Sequence, residues 1–318
     1  MRGFNRTRRD CLRAAALAAV GAALPWPLQA LAQAAAERSL LTRAIPGSGE
    51  RLPIIGLGAS SFSVSSPADL AQRREVIAAL AKLPGAVVDT AQAHGLSEQV
   101  LGRLVAELGV RDRLFIASKM PSGGQTGPAG ELLQRSFDNL QVERIDLMQV
   151  HNLYRAADFI PELLRAKEAG RVRYVGVSAS VQQYPALVTA LRQYPLDFVQ
   201  LDFSLAVREL AQRVLDTARE RRAAVLAGAP FGGRVRAGTM FSLLAGRPLP
   251  EWAAEIDAGS WAQVLLKYAA SHPAVTAVLP GTSRMRHLQD NLEAAYGRLP
   301  DADLRARIEQ YWDAVRNE

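Results

Sequence analysis

A chain of 318 residues, 49% of them hydrophobic, is long enough to bury one large core without disulfide or metal staples. Its formal net charge is +7, but the first 32 residues carry most of it, with Arg2, Arg6, Arg8, Arg9 and Arg13 set against Asp10 alone. The remaining positive charge is spread along helical segments with no basic run, which argues against nucleic-acid binding, and no later stretch is apolar over the roughly 20 residues that a membrane span needs.

The chain opens with an address. Arg8 and Arg9 precede an apolar run from Ala14 to Leu24, and Ala30-Leu31-Ala32 supplies a small-residue exit. This pattern predicts a twin-arginine signal peptide over residues 1–32, cleaved near Ala32, with the export machinery as a partner and the periplasm as destination. An uncleaved anchor is the competing reading. Pro25 and Pro27 break the run, so no stable membrane anchor is expected. Cys11, the only cysteine, lies ahead of the apolar run, which leaves the predicted mature chain without thiol chemistry or disulfides. Residues 33–50 are small and polar and read as a linker, with the folded domain at 51–318.

From Leu52 onward, apolar runs alternate with helical patterns. Strands are predicted at LPIIGLGAS (from Leu52), AVVDT (Ala86), LFIASK (Leu114), IDLMQVHN (Ile145), VRYVGVSA (Val172), FVQLDFS (Phe198), AAVLAGAP (Ala223) and VTAVLPGT (Val275). Continuous apolar runs suit parallel strands covered on both faces. Eight of them with intervening helices predict an α/β fold, a (β/α)8 TIM barrel. An open doubly wound sheet is the alternative, but GLGAS after the first strand lacks the G-x-G-x-x-G spacing of a dinucleotide-binding turn.

Barrels of this kind carry their chemistry at the C-terminal ends of the strands. Asp89 closes the second predicted strand, Lys119 the third and His151 the fourth. Each alone has a structural explanation, as a cap, a snorkelling lysine or a core-edge histidine. Three on one rim point to a site. The four histidines (His94, His151, His272, His287) show no metal-ligand spacing, so no metal is expected, and His272 before Pro273 reads as structural. No second rim carboxylate is evident to pair with Asp89, which disfavours a sugar hydrolase.

DTAQAHG (Asp89–Gly95) followed by LSEQVLG resembles the aldo-keto reductase signature, D-T-A-x-x-Y-G before S-E-x-x-L-G, and SKM, LMQVHN, GVSAS, FVQLDFSL and LPGTSRMRHLQDNL follow in that family's order. The resemblance implies an NADPH-dependent oxidoreductase acting on a small-molecule carbonyl. It makes Asp89 and Lys119 an ion pair and His151 the group that orients the carbonyl. His94 stands where the family places its tyrosine acid.

An imidazole titrates near neutral pH, yet a nearby ammonium lowers its pKa and its reach is shorter than a phenol's. Altered acid catalysis by His94 is therefore expected, with a catalytically silent nucleotide- or ligand-binding barrel as the alternative. By the same resemblance, Ser178 and Gln200 contact the nicotinamide carboxamide, although Ala179 replaces a frequent asparagine. Gly228 falls where many members have a stacking aromatic, and Phe231 is a partial substitute. Pro280, Gly281, Thr282, Ser283 and Arg284 form the phosphate end, with Asp290 and Asn291 on the adenine side. Simple capping by Thr282 or Ser283 is the plainer reading of that segment.

Overall fold

The computed structural model describes residues 39–232 and 240–318, and the leader expected at 1–32 lies outside them. A hairpin of β1 (Thr42–Ala44) and β2 (Arg51–Pro53) comes first, paired antiparallel. Of the linker expected at 33–50, the described part from Ser39 onward belongs to this hairpin and its approach. Ile45 and Leu52 are 1% and 0% exposed and pack with Val87, Phe115 and Phe198. These two side chains turn the segment into a plug for the N-terminal end of the barrel.

Eight parallel strands then follow around one sheet in chain order. They are β3 (Leu57–Gly58), β4 (Ala86–Asp89), β5 (Leu114–Lys119), β6 (Ile145–His151), β7 (Val172–Ala179), β8 (Phe198–Asp202), β9 (Ala224–Gly228) and β10 (Val275–Val278). Parallel bridges Ile55–Val278 and Gly58–Gly281 join the first strand to the last, which gives the (β/α)8 barrel that the alternation predicts. The long first strand read from Leu52 is divided between β2 and β3. Gly56 explains the break: a Cβ there would lie 2.6 Å from the Val87 carbonyl oxygen, so backbones approach too closely for a side chain.

The helices are α1 (Pro67–Leu80), α2 (Ser97–Leu108), α3 (Ala129–Leu140), α4 (Ala156–Glu168), α5 (Tyr184–Gln193), α6 (Arg208–Glu220), α7 (Met240–Leu244), α8 (Trp261–Ser271), α9 (Met285–Glu293) and α10 (Ala302–Asn317). Their starts are chemically marked. Ser66 and Ser260 accept the Asp69 and Gln263 N–H groups, and Asp301 accepts that of Leu304.

Alternation along the strands separates two cores. Val88, Ile116, Met148, Val199 and Val225 face the helices. Phe115 and Ala117, Leu147, Phe198, and Ala224 and Leu226 face inward. With a side-chain period of two, the inward columns continue upward to Lys119 on β5, Gln149 and His151 on β6, Gln200 and Asp202 on β8, and Gly228 on β9. The interior is thus aromatic at its base and ionisable at its mouth.

Candidate functional site

Asp89 and Lys119 end adjacent strands and face each other inside the barrel. Lys119 Nζ donates to both Asp89 carboxylate oxygens at 2.6 Å and to the Thr90 carbonyl at 2.9 Å, and the two side chains are 7% and 4% exposed. The ammonium is thus held by three acceptor oxygens within the protein. Gln200 Nε2 donates to Asp89 at 3.0 Å, and Gln149 Nε2 donates to Gln200 Oε1 at 2.8 Å. The carboxylate is held from β5 and β8 together, so the pair is rigid.

His94 sits just above, at the end of a short 3-10 turn over Gln92–His94. Two local features place it. Gln92 Nε2 anchors the turn on Leu132 O and Ser136 Oγ, both at 2.7 Å. Gly95 has φ 61°, and a Cβ there would meet Ser63 Oγ at 2.6 Å, so only glycine permits the bend. The His94 and His151 rings meet edge to face, with centroids 6.1 Å apart, and Nδ1 of each is buried without a partner. Burial, followed by the Lys119 charge, lowers the His94 pKa from its ordinary value, with Asp89 opposing. The same causes, with His94 added, bring His151 down to about 4. Lowered from the ordinary value, both imidazoles are neutral at neutral pH.

Behind this rim lies a group that sequence reasoning did not single out. Glu98, 1% exposed on α2, accepts from Ser118 Oγ at 2.5 Å, Ser136 Oγ at 2.8 Å and Asn139 Nδ2 at 3.0 Å. Burial raises its pKa against those hydrogen bonds. It fixes Ser118, the residue before Lys119, and so ties α2 and α3 to β5. Its signal was a glutamate within an otherwise apolar helix face.

The remaining expected residues fall into two groups. Ser178 is 5% exposed and aligned with Gln200 across β7 and β8, near the Asp89–Lys119 pair. Gly228 leaves room on the inner face, since a Cβ there would be 3.7 Å from Gln200 Nε2 and 3.9 Å from Asp202 Oδ1. Phe231 is half-buried and packs on Phe241, with ring centroids 4.9 Å apart, so part of its surface is already covered. Asp202 corrects the expectation that no second rim carboxylate exists. It ends β8 on the inward face, opposite Gly228. It does not restore a hydrolase pair, because both oxygens of Asp89 are engaged by Lys119.

The second group lies at the start of α9. Thr282 Oγ1 accepts the Arg284 N–H at 3.1 Å, and Arg284 is the N-cap without a side-chain cap bond. The first turn of α9 thus presents free N–H groups beside Arg284 and Arg286, which make no ion pair among the described residues. Pro280 and Gly281 lead into it from β10, with Ser283 half-exposed. Asp290 has a structural task as well, accepting from Ser260 Oγ at 2.9 Å and Gln263 Nε2 at 2.7 Å. Asn291 is 3% exposed. Among the described residues no group of three or more His, Cys, Asp or Glu side chains could hold a metal ion.

Several known proteins resemble this chain. "Protein tas" of Escherichia coli is 25% identical over 83% of this chain and 95% of its own length. "Aldo-keto reductase YhdN" of Bacillus subtilis is 29% identical over 54% of this chain, and the match spans 53% of that relative. An aldo-keto reductase structure from Klebsiella pneumoniae in complex with NADPH superposes with a TM-score of 0.69 at 22% identity, covering 86% of this chain and 95% of that one. The profile of the Aldo/keto reductase family matches residues 54–313, most of the barrel from its first strand to its last helix. The chain belongs to the aldo-keto reductase family.

Proposed function

We propose that this protein is an NADP(H)-linked oxidoreductase acting on a carbonyl/alcohol pair, with His94 in the position of the proton-transferring group. The observation that carries the reading is the buried Asp89–Lys119 pair at the barrel mouth, with the unpartnered imidazoles of His94 and His151 beside it. The residues present fit the cofactor. Uncapped N–H groups and two arginines at α9 that make no ion pair among the described residues suit phosphate, and the side-chain-free inner face of Gly228, bordered by Gln200 and near Ser178, suits a flat amide-bearing ring.

When bound, the nicotinamide supplies or accepts the hydride exchanged with the carbonyl carbon. Lys119 contributes a fixed positive charge near the reacting oxygen, which stabilises developing alkoxide. Its hydrogen bonds run to Asp89 and to the Thr90 carbonyl, and none runs to His94 among the described residues. In reduction the His94 imidazolium would give its proton to the developing alkoxide, and in oxidation the neutral imidazole would take the proton of the alcohol. His151 orients that oxygen from the other side.

A Lys119 held by Asp89 and Thr90, with no hydrogen bond to His94 among the described residues, also supports a second reading, a catalytically silent barrel that binds nucleotide. One sequence of measurements separates them. NADPH binding to the full chain is read by tryptophan quenching and calorimetry, followed by a carbonyl and alcohol screen of the wild type and His94→Tyr. Micromolar binding with turnover supports the enzyme. Binding with turnover only in His94→Tyr supports the silent barrel. No binding of either nicotinamide nucleotide defeats both.

The proposal extends to export. The paired arginines ahead of an apolar run favour a periplasmic protein delivered with its cofactor by the twin-arginine machinery. Fractionation of the source cells, with N-terminal sequencing of the mature chain, tests it. A full-length cytoplasmic product overturns it.

A further inference from the structure

Asp202 is the rim group that the chemistry above leaves without work. It ends β8, two residues beyond Gln200 on the same inward column, and is paired in register with Gly228. Phe198, Gln200 and Asp202 thus rise in order from the aromatic base, past the catalytic pair, to the mouth. Its carboxylate makes no hydrogen bond or ion pair among the described residues, although the neighbouring carboxylate, Asp89, makes several. Its backbone is held, since its carbonyl accepts the Tyr184 hydroxyl, so the side chain is aimed by a fixed strand end.

The space it faces is defined. A Cβ on Gly228 would meet Gln200 Nε2 at 3.7 Å and Asp202 Oδ1 at 3.9 Å, with the Leu201 carbonyl oxygen at 3.5 Å. A hydrogen-bond donor and a carboxylate therefore border the inner face of Gly228, which itself carries no side chain. A half-buried carboxylate without a partner is relieved by a ligand that brings positive charge or N–H groups. Burial pushes the Asp202 pKa up, in keeping with the missing cation.

Resting on the NADP(H) reading above, we propose that Asp202 is a cofactor-binding residue whose carboxylate holds the cationic ring of oxidised nicotinamide over Gly228, so that the site binds NADP+ in preference to NADPH. The reduced ring is uncharged and gains little from the carboxylate. The two redox forms share every phosphate and adenosine contact, so their difference in affinity isolates the charge near the ring. A site that favours the oxidised cofactor, with a neutral imidazole at His94 able to take a proton, is arranged to oxidise an alcohol.

Calorimetric titration of the full chain and of Asp202→Asn with NADP+ and with NADPH tests this. Asparagine is nearly isosteric and removes only the charge, and a matching far-ultraviolet spectrum with a cooperative melting transition establishes that the variant is folded. The expected result is a loss of about tenfold in NADP+ affinity with NADPH affinity changed by less than about threefold. Equal effects on both forms, or no effect on either, overturn the inference while leaving the NADP(H) reading intact. A wild-type protein that binds neither nucleotide overturns both.

Discussion

The two ends of the barrel interior treat their polar groups in opposite ways. At the base, Glu50 from the hairpin pairs with Arg173, Arg173 with Asp146, and Asp146 with Arg111, a continuous chain of charges. The Phe115, Tyr174 and Phe198 rings lie above it with centroids 5.4 to 5.9 Å apart. At the mouth, His94 and His151 keep bare nitrogens and Asp202 a bare carboxylate. Two histidines make the contrast sharp. His272 near the base and His151 at the mouth are both brought down to about 4, chiefly by burial, but His272 Nδ1 accepts the Ala274 N–H whereas His151 Nδ1 accepts nothing. The base is built for stability, and the mouth keeps groups unsatisfied for a ligand to complete.

Substitutions at the two ends should separate these roles. Phe198→Ala at the base is expected to lose about 3–5 kcal/mol in urea unfolding, with nucleotide affinity little changed. Lys119→Met at the mouth leaves the Asp89 charge buried, with an expected loss of about 3 kcal/mol together with all turnover. If Phe198→Ala weakened binding as much as Lys119→Met, the division would not hold.

His94→Tyr restores a phenol where the acid is needed, and carbonyl reduction should rise by about 100-fold in kcat/KM in a steady-state assay. In the wild type, reduction should weaken as pH rises above the His94 pKa, which lies below the ordinary 6.5 for histidine, because the protonated imidazole disappears. Alcohol oxidation should behave oppositely and level off at higher pH.

The histidines also set a stability profile. His151 and His272 titrate at about 4 in the folded chain and near 6.5 when unfolded, so the unfolded state binds more protons between those values. Stability is full above 6.5 and declines as pH falls toward 4. After discounting for solvent screening, each contributes on the order of 1 kcal/mol, readable as a falling melting temperature. The smallest change is expected for Asp202→Asn, which removes an unpartnered charge and should stabilise the unliganded protein by up to about 1 kcal/mol.

Much of this plan is legible in the sequence. The apolar runs give the strands because both faces of each strand are covered, and a titratable residue ending such a run marks the rim, as Asp89, Lys119 and His151 do. The hairpin was not legible. Thr42–Ala44 carries no alternating pattern, and its partner strand is needed before Ile45 and Leu52 read as a plug. Asp202 was hidden for a related reason. In FVQLDFS the inward column is Phe198, Gln200 and Asp202, and its direction becomes visible only when the Phe198 ring packs in the barrel interior. Glu98 likewise needs Ser118, Ser136 and Asn139 brought together from β5 and α3.

The barrel closes along a thin seam. Between β3 and β10 it is joined by the hydrogen bonds from Gly56 N to Val278 O, Gly58 N to Pro280 O and Val278 N to Ile54 O, with glycines where side chains would otherwise brace it. The segment that continues from this seam, Pro280 to Arg284, is also the proposed phosphate grip. Occupancy there would act as a clasp, so amide exchange at Gly56, Gly58 and Val278 should slow when nucleotide binds and report the loaded state from within the wall of the barrel.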